Sequence, residues 1–482
     1  MRSGTGGVSG TGRRVVLLLL DGARHDVFAS LAARGDLPHI SRHILDPGGM
    51  TPATTVFPST TGVAYLPFLT GCFPGTCDVP GIRWLDVRRY RGRWWDDRDQ
   101  VRSYCGYQGG RLNTDLRPGI ATLFDLVPDS IGICTPFTRG LGDGRERAGA
   151  ARKVWGGLAH YTGGYGVLER AVGRALVRAV REKPSFVFSV FPGVDGVTHF
   201  HDPAHPDVLD TYRDFDGIVG DLAQAGGFDG ETLVLLVSDH GLSRVDRHTD
   251  VSLELEAMGL PTLRHPLVWR RDPVAAVMVS GNASAQVYLL PGRVRERRFA
   301  LAEIESGAVA PIPADVVRRL AARPGIAMVV ATDEAGLVLV SRDGRALLRD
   351  VTGGVAYDPV TADVLGLGPP AVLPEREWLA RSLDGRYPDG PLQLLQLFRS
   401  PRTGDLVVIA DRGADLRLDW EVPEHRSGHG SLTADHMRCL AACNVPIDGP
   451  LRTVDVFPLV LHHLGLPIPA GIDGALPRYG VR

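Results

Sequence analysis

The sequence has little of what marks a secreted or membrane-spanning protein. Its 482 residues include only six cysteines, which lie far apart and form no Cys-x-x-Cys pair, so a disulfide scaffold or a zinc ribbon is excluded. The longest apolar run near the start, 15–20, stops at Asp21 and is too short for a signal peptide. No later run approaches the roughly 20 apolar residues of a membrane-spanning helix. We therefore expect a cytoplasmic protein without a membrane span.

An excess of charge of one sign is also lacking. The 53 basic and 55 acidic residues leave a formal net charge of −2, which gives no bulk attraction for a nucleic-acid polymer. With 44% hydrophobic and 22% charged residues, the composition is that of a globular protein and excludes wholesale disorder. Only residues 1–12, which are rich in glycine and serine, are expected to form a flexible tail.

Three short apolar runs predict buried strands of a parallel sheet. The runs at 15–20, 186–191 and 233–237 contain almost no polar residue, which is typical of strands buried on both faces. The helical spacing of apolar residues between the runs indicates an α/β sheet, whose ligands gather at the carboxyl ends of the strands. Asp21, Asp195 and Asp239 all follow these runs closely. We therefore expect the three aspartates to converge on one site.

The pattern changes between about 250 and 415. Short strand-like pieces there alternate with turns rich in arginine and proline, which predicts an inserted α+β cap over 251–415. The stretch 452–464 again resembles a helix that packs on the sheet. We therefore expect a catalytic core made of 13–250 and 416–482.

Histidines accompany the three aspartates. His199 follows Asp195 in DGVTH, His240 follows Asp239 in SDHG, and His429 lies in SGHGSL. Each motif alone has a plain structural explanation as a turn, a helix cap or a chance spacing. Together they supply three carboxylates and three imidazoles, which suits a pair of Zn²⁺ ions, with Mn²⁺ as the alternative. Two such ions can hold the attacking and the leaving oxygen of a displacement at phosphorus.

The order and spacing of these motifs resemble the alkaline phosphatase superfamily, most closely its nucleotide pyrophosphatase/phosphodiesterase-like branch. The resemblance covers about 15–245 and 420–475 and includes RTVDVFPLVLHHLGLPIP at 452–469. It implies a three-layer α/β fold with a central, mostly parallel sheet, and a metal-dependent hydrolase of phosphoric esters. It also implies the ligands of two ions, which are Asp21, Thr61, Asp239 and His240 for one ion and Asp195, His199 and His429 for the other.

The candidate nucleophile lies in FPSTTGVAYLPFLTG, where Ser59, Thr60 and Thr61 are adjacent. Members of the family place a threonine nine residues before the threonine of a Thr-Gly pair, and counting back from Thr70 gives Thr61. A hydroxyl at a helix start lies close to N–H groups that stabilise phosphate, and a metal ion lowers the pKa of the hydroxyl so that it can attack. The alternative is that Thr60 and Thr61 only cap the helix.

The chain departs from the family pattern at three places. Ala64 stands where nucleotide-cleaving members carry an asparagine, and Cys77-Asp78 replaces the usual His-Gly pair. Pro67 lies inside the predicted nucleophile helix and is expected to bend it. The metal site and the threonine are therefore better specified than the substrate.

The segment 83–107 interleaves arginines with aromatic residues, among them Trp84, Tyr90, Trp94 and Trp95. Such a mixture can hold a phosphate and stack on a base or a sugar. The alternative is a surface loop whose arginines pair with neighbouring aspartates.

We expect a two-metal phosphoric-ester hydrolase that acts on a small-molecule phosphate ester through a covalent phospho-threonine on Thr61. A phosphoryl or phosphoalcohol transferase with an alcohol acceptor, a phosphomonoesterase and a phosphonate hydrolase remain alternatives on the same site. A catalytically silent metal-binding protein is disfavoured by the intact set of residues. His201 and His205 are expected to line the rim of the site rather than to hold a third ion.

Overall fold

A six-stranded sheet forms the centre of the molecule. The computed structural model describes residues 12–91, 101–264, 272–290, 295–417 and 424–480. All neighbouring strands of the sheet are parallel except the pair at one edge. This confirms the expected α/β class with a mostly parallel sheet. In order across the sheet, the strands are Ala441–Cys443, Thr232–Val237, Arg14–Leu20, Phe186–Phe191, Ser130–Ile133 and Glu146–Arg147.

Both faces of this central sheet are buried. Along the strand Arg14–Leu20, alternate side chains enter two different hydrophobic clusters, with Val15 in one and Val16 in the other. The first cluster also contains Phe457 from a helix near the end of the chain, and the second contains Leu168 and Tyr212 from two long helices. Helices therefore cover both faces, as in the three-layer arrangement that the resemblance implied.

A second sheet lies within the stretch 251–415 that was predicted as a cap. It has nine strands, and every neighbouring pair is antiparallel except Thr262–Arg264 with Ala275–Ser280. The limits of the cap as a domain stay a prediction. Across this sheet the strands are Thr262–Arg264, Ala275–Ser280, Ser284–Leu289, Leu406–Ala410, Ile326–Asp333, Gly336–Ser341, Gly344–Val351, Gly354–Asp358 and Ala371–Leu373.

The remaining strands form small sheets at the margins of the two large ones. They are Arg83–Leu85 with Val101–Ser103, Ser243–Arg244 with Ser427–Gly428, Arg247–His248 with Ala414–Asp415, and Ala53–Thr54 with Arg438–Cys439 and Leu451–Arg452.

The helices vary widely in length. The α-helices are His25–Ala33, Pro38–Ile40, Leu66–Thr70, Leu112–Asp115, Leu123–Leu126, Gly149–Ala151, Gly157–Thr162, Gly166–Arg181, Gly193–Thr198, Pro206–Gln224, Val251–Ala257, Leu301–Glu305, Val316–Ala321, Glu375–Ser382, Gly390–Leu397, Ala434–Met437 and Val456–His463. Val63–Tyr65, Gly106–Arg111 and Thr453–Asp455 are 3₁₀ helices, and Ser41–Leu45 and Arg152–Gly156 are π-helical. Among the described residues, no helix combines the length and the apolar character needed to cross a membrane.

The expectation that Pro67 bends a helix is wrong. The 3₁₀ turn Val63–Tyr65 comes first, and the α-helix begins only at Leu66, so Pro67 lies in the first turn of the helix. The N–H groups of a first turn have no partner within the helix, so proline is tolerated there. Just before the 3₁₀ turn, Gly62 adopts φ 83°, a left-handed conformation that favours glycine.

Candidate metal centre

Three neighbouring strands of the central sheet bring the aspartates together. Asp21 follows the strand Arg14–Leu20, and its main-chain N–H donates to Phe191 O of the adjacent strand at 3.0 Å. The N–H of Asp195 in turn donates to Asp21 O at 3.0 Å, and the N–H of Gly22 donates to Asp239 Oδ1 at 3.1 Å. The carboxyl ends of parallel strands meet at one edge, which explains why residues so far apart in the sequence lie together.

Of the three adjacent hydroxyls, only that of Thr61 contacts this cluster in the structure. Thr61 Oγ1 lies 3.0 Å from His240 Nε2 and 3.3 Å from Asp21 Oδ1. Ser59 instead donates its hydroxyl to Ser431 O, and Thr60 Oγ1 is buried without a hydrogen-bond partner. The local geometry therefore favours the choice of Thr61, and its role as nucleophile stays a prediction.

The three histidines present the same ring nitrogen to the cluster. Each Nδ1 donates to a main-chain carbonyl: His199 to Ser427 O at 2.9 Å, His240 to Gly241 O at 3.2 Å, and His429 to Ser59 O at 3.1 Å. A carbonyl can only accept, so the proton resides on Nδ1, and the lone pair of Nε2 in His240 and His429 faces the carboxylates. For His199, burial lowers the pKa but is outweighed by Asp195, which raises it. Burial lowers the pKa of His240 to about 4, and burial also lowers the pKa of His429. These two rings are neutral at neutral pH, as metal ligands must be.

Two carboxylate oxygens of the cluster lack a hydrogen-bond partner. Asp195 Oδ1 and Asp239 Oδ2 are buried and make no hydrogen bond. Burial raises the pKa of Asp239 to about 8, with a further contribution from the charge of Asp195, and burial followed by the charge of Asp239 raises the pKa of Asp21. For Asp195, burial acts in the same direction but is outweighed by His199, which lowers the pKa. A buried group of like charges with unsatisfied oxygens is unfavourable unless a cation joins it.

The donor atoms could hold a divalent cation. Ligand atoms of Asp21, Asp239 and His240 lie within 4.8 Å of one another, and so do those of Asp195, His240 and His429. His240 thus belongs to both groups. His199, which the resemblance assigned to the second ion, contacts Asp195 through Nε2 and Oδ2 at 3.2 Å. The carboxylate and imidazole donors suit Zn²⁺ or Mn²⁺.

Two residues that the sequence analysis did not identify support the centre. The hydroxyl of Tyr65 donates a short hydrogen bond to Asp21 Oδ2. Burial raises the pKa of Tyr65, so the hydroxyl keeps its proton. His425 stacks on His199 with ring centroids 4.1 Å apart and rings inclined by 20°. The spacing of Tyr65, four residues after Thr61, could have identified it from the sequence. No sequence pattern indicated His425.

The helix Gly193–Thr198, which carries Asp195, packs on the long helix Gly166–Arg181 and the residue before it. Glu169 Oε1 accepts the N–H of Gly193 at 2.8 Å. A Cβ at Gly196 would lie 2.0 Å from Cζ of Tyr165, so the tyrosine ring lies directly against the glycine backbone. Gly193 and Gly196 are therefore needed for this close approach of the two helices.

Among the described residues of the Arg- and Trp-rich segment, Trp84 and Tyr90 do not form an exposed aromatic surface. Trp84 is buried, donates its indole N–H to Tyr104, and packs beneath the guanidinium of Arg402 at 4.5 Å. Tyr90 is also buried, and Arg88 is paired with Asp86 at 2.8 Å, which was the alternative interpretation. Trp94 and Trp95 lie outside the described residues.

His201 and His205 lie away from the buried centre. His201 Nε2 is 3.4 Å and His205 Nδ1 is 3.7 Å from Asp207 Oδ2, and all three side chains reach solvent. His201 lines an open cavity of about 670 Å³ together with Thr162, Gly163, Val197, Phe200, Asp207, Glu424 and Arg426. Ligand atoms of His201, His205 and Asp207 also lie within 4.8 Å of one another, and the rim position stays a prediction.

Comparisons with known proteins bear on this arrangement. The family model described as type I phosphodiesterase / nucleotide pyrophosphatase matches residues 15–432. No curated relative matches the sequence significantly. Among solved structures, phosphonoacetate hydrolase from Sinorhizobium meliloti 1021 in complex with phosphonoacetate is similar, with a TM-score of 0.56 and 17% identity over 94% of this chain and 97% of that chain. Human ectonucleotide pyrophosphatase/phosphodiesterase 5 is similar with a TM-score of 0.58 and 13% identity over 96% of this chain and 97% of that chain. The murine form gives a TM-score of 0.56 and 13% identity over 96% and 98%.

Proposed function

The chain belongs to the type I phosphodiesterase / nucleotide pyrophosphatase family, whose members are metal-dependent hydrolases of phosphoric esters, and on that premise we propose a two-metal reaction through a covalent phospho-threonine. The observation that carries the proposal is the position of Thr61 Oγ1, 3.3 Å from Asp21 Oδ1 and 3.0 Å from His240 Nε2. No other hydroxyl of 59–61 touches the carboxylate cluster.

The residues that would hold the two cations are those of the resemblance. Asp21 and His240 contact Thr61, and Asp239 clusters with these two residues. Asp195 and His429 cluster with the same His240, and His199 contacts Asp195. When bound, such cations supply positive charge that stabilises the phosphoryl oxygens and lowers the pKa of the attacking hydroxyl. Zinc is the proposed metal, and manganese is the alternative, because both accept carboxylate and imidazole ligands.

The residues of the chain carry the reaction in two displacements. Thr61 Oγ1 forms a bond to phosphorus while the ester bond to the organic group breaks, and that group leaves as an alkoxide that takes up a proton from solvent to give the alcohol. Asp21 Oδ1, which accepts the hydroxyl hydrogen bond of Thr61, is the carboxylate in reach of the released proton. Water then displaces Thr61 from phosphorus, which restores the hydroxyl and releases the phosphate product. Tyr65 holds Asp21 in place throughout by its hydrogen bond to Oδ2.

A substrate panel tests which class of ester the protein cleaves. The panel contains p-nitrophenyl phosphate, bis-p-nitrophenyl phosphate and phenylphosphonate, each with zinc or with manganese. We expect the diester to be cleaved fastest, as the family name suggests. A preference for the phosphonate would favour the alternative of a phosphonate hydrolase. One structurally similar protein was crystallised with phosphonoacetate. Transfer to an added alcohol in place of water would identify a transferase, and no turnover of any member with either metal would contradict a hydrolase.

A further inference from the structure

Exposed apolar side chains are concentrated in one short helical stretch, 149–162, and at Val167 in the helix that follows. The stretch runs through Gly149–Ala151, Arg152–Gly156 and Gly157–Thr162 without a break. Ten large apolar side chains are exposed in the described part of the chain, and five of these fall between 154 and 167. Such a concentration indicates a surface that binds another protein or a membrane. The five are Val154, Trp155, Leu158, Tyr161 and Val167, with 58%, 46%, 54%, 65% and 43% of their surface exposed.

The opposite side of this helical stretch is packed. Ala159 is buried, and a Cβ at Gly156 would lie 3.7 Å from Cδ2 of Leu168 on the long helix. Val154, Leu158 and Tyr161 recur at one-turn intervals, so they share the outer face. The stretch is therefore an amphipathic helix that is docked by its small residues and presents its large apolar residues to the outside.

Within the range 147–181 itself, the charge is almost entirely of one sign, whereas the neighbouring helix Pro206–Gln224 carries exposed aspartates. The range 147–181 contains a single acidic residue, Glu169, which is buried with Oε1 bonded to the N–H of Gly193. Across the part of the chain that the structure describes, Lys153, Arg170, Arg174 and Arg178 are exposed and have no acidic partner within 4.0 Å. Unpaired basic residues next to exposed tryptophan, tyrosine and leucine are the combination found in helices that lie on anionic membranes.

We propose that the surface formed by 147–181 docks on an anionic phospholipid bilayer. The apolar side chains of 154–167 enter the interface, and the basic residues contact lipid phosphates. A second copy of this chain fits the surface less well, because a two-fold contact would bring the same basic residues face to face. This inference goes beyond the proposed hydrolase and does not depend on its chemistry.

The proposed docking surface adjoins the metal centre. His160, on the helical stretch itself, lies edge-on to His425 with ring centroids 5.7 Å apart, and His425 stacks on His199. Thr162 and Gly163 line the same cavity as His201. A bilayer on the 147–181 surface would therefore lie beside the entrance of the centre.

Vesicle flotation with the full chain tests the apolar part. We expect binding to vesicles of phosphatidylglycerol and phosphatidylcholine, with a partition coefficient about tenfold or more above that for phosphatidylcholine alone. Trp155→Asp with Leu158→Asp should lower the partition coefficient at least about tenfold. The matched control is Val360→Asp with Val372→Asp, which changes two residues that are 59% and 55% exposed in another region and should leave binding unchanged. Thermal melting of each variant separates lost binding from lost folding.

A second pair of variants tests the charge. Arg170→Glu with Arg174→Glu should abolish the preference for the anionic vesicles, while Arg342→Glu with Arg349→Glu, in a turn and a strand of the nine-stranded sheet, should not. Salt should weaken the binding of the unaltered chain, because exposed charges are screened. Absence of vesicle binding, equal binding to neutral and anionic vesicles, or binding that survives Trp155→Asp with Leu158→Asp would each overturn the proposal. A dimer in light scattering that this variant dissolves would overturn it in favour of a second copy.

Discussion

The two large sheets of the molecule make opposite use of their polar residues. In the central sheet, parallel strands from 14–20, 186–191 and 232–237 end side by side, and residues more than 200 positions apart meet there, with Asp195 Oδ1 and Asp239 Oδ2 buried and without a hydrogen-bond partner. In the nine-stranded sheet the buried Asp405 is fully used, because it accepts the N–H groups of Leu289 and Phe299 and pairs with Arg295. An unpaired buried carboxylate therefore indicates a candidate ligand-binding site, whereas a paired one stabilises the fold.

Removal of the Thr61 hydroxyl should have the largest effect. Thr61→Ala should lower kcat for the best chromogenic ester by at least about 10³-fold, because the bond to phosphorus can no longer form. Metal content and melting temperature should stay close to those of the unaltered chain. The neighbouring Thr60, whose buried hydroxyl has no partner, supplies the control. An inactive Thr60→Ala beside an active Thr61→Ala would move the nucleophile by one residue.

A comparison of one aspartate from each sheet should give the next largest effect. We expect about two metal ions per chain, chiefly zinc, and Asp195→Asn should lower this to about one. Activity should then fall by more than the roughly 10- to 100-fold that loss of an outer-shell residue costs. Asp405→Asn should lower the melting temperature and leave the metal content at two ions. Elemental analysis measures the number of metal ions per chain in both variants. If the unaltered chain holds no metal and chelators leave its activity unchanged, the proposed metal centre at the central sheet is refuted.

Two tyrosine substitutions, one for each sheet, repeat this comparison by the removal of a single hydroxyl. Tyr65→Phe removes the hydroxyl that donates to Asp21, so metal affinity should fall about 10- to 100-fold. Tyr288→Phe, in the nine-stranded sheet, removes a hydroxyl that donates to Arg402 O at 2.7 Å. That change should cost about 1 kcal/mol in the free energy of unfolding and nothing in metal affinity. Competition with a chromophoric chelator measures both affinities, and equal losses would show that Tyr65 acts only through stability.

The smallest expected effect concerns the pH dependence of stability. Burial raises the pKa of Glu169 from 4.5 to about 8, so between these values the folded protein keeps a proton that the unfolded chain releases. Stability must therefore fall as pH rises through this window. Since glutamine cannot ionise, the melting temperature of Glu169→Gln relative to the unaltered chain should rise steadily from about pH 5 to pH 8.

Glu303, outside the central sheet, provides the control for this slope. Its hydrogen bond with Arg297 lowers the pKa from 4.5 to about 2, so its contribution to stability is complete above the upper value and is lost only as pH falls below it. Glu303→Gln should therefore shift the melting temperature by a constant amount between pH 5 and pH 8. A flat difference for Glu169→Gln would mean that its carboxyl ionises normally in the folded protein.

The sequence predicted the elements whose environment is uniform. Strands such as 186–191 are buried on both faces, so their apolar runs were legible, and the aspartates at their ends followed from the topology of parallel sheets. Thr61 was identified through the family spacing. Glu169 was missed because a glutamate on an amphipathic helix normally faces water, and only packing against Gly193 reveals that it does not.

The sequence left two interpretations open where one residue type serves two purposes. Trp84 suited either a stacking surface for a ligand or a structural segment, and its indole lies in the core beneath two guanidinium groups. Pro67 was expected to bend a helix because the position of the first turn could not be read from the sequence. The pairing of the nine-stranded sheet was beyond prediction as well, since its strands join in an order that local patterns do not encode.

The stereochemical course at phosphorus tests the central claim most directly. Each in-line displacement inverts the configuration at phosphorus, so the two displacements of the proposed reaction restore it. The ester that is cleaved fastest should be prepared as a chiral phosphorothioate and hydrolysed in isotopically labelled water. Retention of configuration is the predicted result. Inversion would show that water attacks the substrate directly and would contradict the role of Thr61 as nucleophile.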